Sequence, residues 1–98
     1  MIKNVVDYSV MTVSSSAAVD FLADASPTAP RQATGFFVTC EDNPVHWRAD
    51  GTPPTATAGH LLAAAGELSF YDANYRQMID QVEFISTGVA ILRISFFD

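Results

Sequence analysis

Apolar and polar residues alternate with a period of two over most of this chain. That is the spacing of strands with one face buried. From Val5 to Val13 the alternation is loose, with Val6, Tyr8 and Val10 on one face and Asp7 and Ser9 on the other. Ser14-Ser15-Ser16 makes a turn. Ala17 to Ala25 suits a strand, with Val19 and Phe21 opposite Asp20, although its alanines would also fit one helical turn. Strand is preferred because Ser26-Pro27-Thr28-Ala29-Pro30 follows without helix-capping chemistry, and its prolines enforce an extended loop. Arg31 to Glu41 gives the clearest strand pattern, Phe36, Val38 and Cys40 against Phe37, Thr39 and Glu41, with Gly35 marking a bulge or close backbone approach.

Glu41-Asp42-Asn43-Pro44 is a turn. Val45 and Trp47 then share one face of a strand, His46 and Arg48 the other, and Ala49-Asp50-Gly51 turns the chain. Thr52 to Ala58 reads as extended, and Pro53 and Pro54 confine it to a sheet edge or a surface crossing. Leu61 to Ala65 is a strand or a helical turn ended by Gly66. Leu68 and Phe70 alternate with Ser69 and Tyr71. Asp72 to Asp80 is the best helical segment, with Asp72 as N-cap. Val82, Phe84 and Ser86 share a face, Thr87-Gly88 turns, and Val89 to Phe97 alternates Ile91, Arg93 and Ser95 against Leu92, Ile94 and Phe96. About seven or eight short strands at turn-separated intervals predict an all-β fold, an antiparallel β-sandwich or jelly roll with at most one short helix.

Composition narrows the possibilities. The 98 residues suit a single domain over 1–98, with 1–13 a candidate for an extended N-terminal strand or arm. Hydrophobic residues make up 49% and charged residues only 16%, so some apolar surface is expected to need a partner. The net charge is -6, and the few basic residues (Lys3, Arg31, Arg48, Arg76, Arg93) are scattered. That argues against nucleic acid and against an anionic membrane surface. Asp7 and Ser9 break the apolar N-terminus, so no signal peptide is expected, and no run approaches a membrane span. A soluble protein made in the cytoplasm is the expectation. The lone Cys40 forms no internal disulfide, and the last strand is expected to place the C-terminus in the sheet.

Candidate chemistry is thin. Cys40, His46 and His60 lack paired metal-ligand spacing, which leaves Cys40 as a small buried hydrophobe and the histidines as surface or interface groups. Glu41, Asp42, Asn43 and Asp50 cluster around turns and offer oxygen ligands for calcium, but they miss the 12-residue loop signature and are also what turns require. No nucleophile elbow exists. The expectation is no enzyme, no catalytic residue, no cofactor and no metal. Trp47 is expected to anchor the core, and Arg48 to pair with Asp50 or Asp42 or to reach a neighbouring subunit.

Unusual residues concentrate between Cys40 and Leu62, which holds the only Trp, the only Cys, both His and three of the five Pro. Within it, Val45-His46-Trp47-Arg48-Ala49-Asp50-Gly51-Thr52-Pro53-Pro54-Thr55 and then Gly59-His60-Leu61-Leu62 resemble a family of small tailed-phage virion proteins. Those carry V-x-W-R-x-D-G-x-x-P-T, then G-H-x-L, then a closing F-I strand and a final strand. Here the closing part matches Val82-Glu83-Phe84-Ile85-Ser86 and Val89 to Phe97. The resemblance spans roughly the C-terminal two-thirds; the first thirty residues match only in being strand-like.

It implies a head-associated structural protein of the decoration or cement type, bound to the major capsid protein at the capsid surface of the virion; a symmetric homo-oligomer is expected on general grounds. The structural or interface candidates are Trp47, Arg48, Asp50, Gly51, Pro54, Gly59 and His60. Strand addition at an open sheet edge is the expected mode of attachment, with Ile2 to Val13 the candidate segment. A tail, adaptor or fibre-base position fits the same residues. From a different class, a carbohydrate-binding sandwich for host adhesion would need Trp47, Tyr71 or Tyr75 as a stacking platform.

Overall fold

The computed structural model describes residues 5–21, 33–70 and 76–97. Eight strands and one short helix follow in order: β1 (Val5–Val13), β2 (Val19–Asp20), β3 (Gly35–Glu41), β4 (Val45–Arg48), β5 (His60–Leu62), β6 (Glu67–Phe70), α1 (Arg76–Gln81), β7 (Glu83–Ser86) and β8 (Ala90–Phe97). They form two four-stranded sheets, ordered β1-β8-β3-β6 and β2-β7-β4-β5. Every pairing is antiparallel.

The pairings are nested. The first strand pairs with the eighth, the second with the seventh, the third with the sixth and the fourth with the fifth. One long antiparallel ribbon has been folded over on itself, and the pairings β3·β8 and β4·β7 complete the sheets. This is jelly-roll topology.

Period-two patterning explains the layers. On β8, Ala90, Leu92, Ile94 and Phe96 are fully buried while Arg93 faces water, and on β3 Phe36, Val38 and Cys40 point the same way. The second sheet contributes Val45, Leu62 and Phe84. Phe21, just past β2, joins the layers: its ring lies 5.0 Å from Phe36, 5.3 Å from Phe96 and 5.3 Å from Phe84. Ile79 of α1 and Val82 belong to the same core.

Several local expectations change. The grouping of Tyr8 with Val10 opposite Ser9 holds, and theirs is the solvent face: Ser9 is buried at 1% exposure beside Met11 and Val13. The register slips between Val5 and Asp7, which turns Val5 outward as well. A bulge of this kind reverses the facing of everything on one side of it.

The segment Ala17 to Ala25 supplies only the two residues of β2, and 22–25 lie outside the described residues. Thr52 to Ala58 is not extended throughout. Thr55 and Ala58 exchange backbone hydrogen bonds of 3.0 and 3.3 Å, and the Thr55 hydroxyl accepts from the Thr57 amide at 3.4 Å. Local threonine hydrogen bonding closes a tight turn here once the two prolines are past. β5 stops at Leu62, because Ala65 adopts φ 65° and its amide bonds to the Cys40 carbonyl at 2.8 Å. The expected helical segment is described only from Arg76, so its Asp72 cap lies outside the described residues.

Candidate functional site

A depression lies where β4 and the edge strand β5 of one sheet meet the edge strand β6 of the other, and there β4 brings the chain's only tryptophan. Val45 is buried, but Trp47, two residues on along the same face, is only partly covered. Trp47 pairs in register with His60 on β5, and the two rings lie 4.7 Å apart, tilted by 39°. From the opposite sheet Phe70 approaches the indole edge-on at 6.1 Å and 77°. These three rings line an open depression of about 620 Å³.

Its polar rim is built by the turn after β4. Arg48 binds Asp50 in bidentate fashion, Nε donating to Oδ1 at 3.1 Å and Nη2 to Oδ2 at 2.5 Å. The Thr52 amide also donates to Asp50 Oδ1, at 3.3 Å. The Arg48 guanidinium and then the Thr52 amide hold the Asp50 carboxyl below the usual carboxylate range, because both bonds favour its charged form. Gly51, at φ +86°, lets the chain turn immediately after Asp50.

Gly59 makes the close approach that shapes the wall. Its φ is +128°, and a Cβ there would sit 3.0 Å from the Trp47 carbonyl oxygen and 3.3 Å from Pro54 Cβ. Pro54 is buried, packing the proline segment back against this wall. Trp47, Arg48, Asp50, Gly59 and His60 therefore line one depression, while Gly51 and Pro54 shape the loop behind it.

Phe70 belongs to the same depression and was not singled out in the sequence, where its alternation with Ser69 read as ordinary strand. Tyr71 and Tyr75 lie outside the described residues.

The other candidate groups are dispersed. Cys40 is buried in the core, and its thiol donates to the Asn43 carbonyl at 3.1 Å. His46 sits on the outer face of the second sheet, in register with Leu61 and Ile85, and its Nδ1 is buried without a hydrogen-bond partner. The carboxylates considered for calcium are drawn apart, Glu41 to Arg93 at 2.9 Å and Asp50 to Arg48. Among the described residues no three His, Cys, Asp or Glu gather as metal ligands.

The outer face of the first sheet carries a second feature. Val5, Tyr8 and Val10 are 59%, 50% and 38% exposed, and the partly exposed Phe37 and Phe97 share that face. Arg93 lies among them, donating to Glu41 on β3 and to the Tyr8 hydroxyl on β1.

No family model matches the chain, nor does any curated sequence or solved structure.

Proposed function

We propose that this protein is a non-catalytic structural component of a tailed-phage virion, a decoration or cement protein that binds the major capsid protein. The observation that carries the reading is the inverted patterning of β1. That strand turns Val5, Tyr8 and Val10 to solvent while it buries Ser9. A strand serving only its own core would place these residues the other way round. Contiguous exposed apolar surface marks an interaction site.

β1 is also an edge strand of its sheet. Between Val5 and Val13 it carries no Lys, Arg or Pro, the residues that commonly guard an edge against pairing. A neighbouring capsid segment is added along this edge, with backbone bonds supplying affinity and the outward side chains supplying specificity. The V-x-W-R-x-D-G-x-x-P-T resemblance supports the same reading, as does the scarcity of charge. A homo-oligomer that presents several such edges would multiply weak contacts on a repeating lattice.

The test is light scattering of the purified protein followed by co-sedimentation with assembled capsids. Binding at the copy number of the major capsid protein, or a simple fraction of it, supports the proposal, and Val10→Lys then abolishes pelleting while the fold still melts cooperatively. A protein that stays in the supernatant as a monomer overturns it.

A further inference from the structure

We infer that the depression between β5 and β6 binds a neutral sugar ring, a hexose of the kind displayed on cell-surface glycans. The inference rests on the Trp47 site alone and does not depend on the capsid reading.

Three observations select the ligand class. First, the lining is aromatic: Trp47 and His60 pack together with ring centres 4.7 Å apart, and Phe70 meets the indole edge-on at 6.1 Å. Such walls accept the apolar C–H face of a pyranose, and a volume of about 620 Å³ falls within the usual range for small-molecule sites.

Second, the rim offers donors and acceptors together. Of the five guanidinium N–H groups of Arg48, two are used by Asp50, which leaves three to donate. The Asp50 carboxylate, which takes bonds from Arg48 Nε, Arg48 Nη2 and the Thr52 amide, keeps acceptor capacity of its own. Vicinal hydroxyls, each both donor and acceptor, are complementary to such a pair.

Third, the charge balance disfavours anions. An anion would find the Arg48 guanidinium already paired with Asp50, on a chain of net charge -6. A neutral polyol meets no such penalty, and a quaternary ammonium, which aromatic rings also attract, is the competing ligand that the test must separate.

Trp47 is the only tryptophan, so its emission reports directly on the site. The whole chain is titrated with methyl α-glucoside, methyl β-galactoside and N-acetylglucosamine, with choline and inorganic sulfate as ionic counter-probes. The expected result is a saturable change in Trp47 emission with at least one neutral sugar, at a Kd of roughly millimolar. Asp50→Ala, at an exposed position, weakens it about tenfold or more, as loss of a charge-assisted hydrogen bond does. Val10→Lys, on the other sheet, leaves it unchanged. Far-UV circular dichroism melts confirm that both variants fold. Absence of a saturable change with every neutral sugar up to about a hundredfold above that Kd overturns the inference. Saturation by choline or sulfate in preference to the sugars does so too.

Discussion

Arg93 donates from Nη1 to the Tyr8 hydroxyl at 3.1 Å and from Nε to Glu41 at 2.9 Å, so one guanidinium spans β1, β8 and β3 on their outer face. The arrangement ties the Tyr8 hydroxyl to the face proposed above for binding. All three partners are solvent-exposed, and exposed ion pairs contribute little to stability.

Arg93→Ala is therefore expected to lower the thermal midpoint only slightly, and only at low ionic strength. At about 1 M salt the screening length is near 3 Å, and the wild-type and variant midpoints should converge. A gap that persists unchanged in high salt would mean that Arg93 acts through packing of its stem instead.

Phe21→Ala should be the most damaging single change in the core. The ring is fully buried and touches Phe36, Phe84 and Phe96, which come from both sheets. Truncating such a residue costs about 3–5 kcal/mol, a large share of the ~5–15 kcal/mol that stabilises a domain of this size. Urea denaturation measures it; a loss under about 1 kcal/mol would show that the layers close without this ring.

Phe21 also shows where the sequence was legible. Burial on β3 and β8 follows strict alternation, so Phe36, Val38, Cys40, Leu92, Ile94 and Phe96 could be placed inward from pattern alone. Around Phe21, four alanines kept a helical turn open beside the preferred strand, and only two residues, Val19 and Asp20, form one; Phe21 is then fixed by contacts with both sheets. On β1 the alternation grouped Tyr8 with Val10 but did not say which face would be buried, and the register shift between Val5 and Asp7 has no signature in the pattern. The depression was half legible. The turn chemistry of Asp50-Gly51 and the stiff prolines marked the loop, but Phe70 arrives from a strand of the other sheet, and pairing between distant strands has no local signature.

Gly59→Ala is expected to destabilise far more than Gly51→Ala. Both glycines have positive φ, but a Cβ at Gly51 meets nothing within 4 Å, whereas at Gly59 it meets the Trp47 carbonyl at 3.0 Å. Gly51→Ala costs about 1 kcal/mol of backbone strain. Gly59→Ala adds a backbone clash at a φ that side chains rarely adopt, for about 3 kcal/mol in all. Equal losses in paired chemical denaturation curves would mean that the β4–β5 wall yields to the methyl group.

Asp50 sets an acid limit on the depression. Its folded-state pKa lies below the unfolded value, so its contribution is complete above about pH 4 and is lost as pH falls through the folded value. Wild type should thus exceed Asp50→Asn in thermal midpoint near neutrality, with the gap closing under strongly acid conditions. A gap that stays constant down to the lowest pH at which both fold would show that Asp50 contributes no charge-dependent stability.

Cys40 sets the opposite limit. Burial pushes its thiol up, and the neighbouring carboxylates Asp42 and Glu41 add to the shift. The native state therefore favours the protonated thiol. The contribution is present in full below the unfolded thiol value near 8.5 and is lost as pH rises through the folded value. Wild type should lose stability from about pH 8.5 upward, and Cys40→Ala, which has no thiol to ionise, should lack that part of the slope. A thiol-specific disulfide reagent gives a second reading. At 1% exposure Cys40 should react slowly in the folded chain and at once in urea. Rapid reaction in native buffer would mean that β3 opens far more readily than its fully paired central position allows.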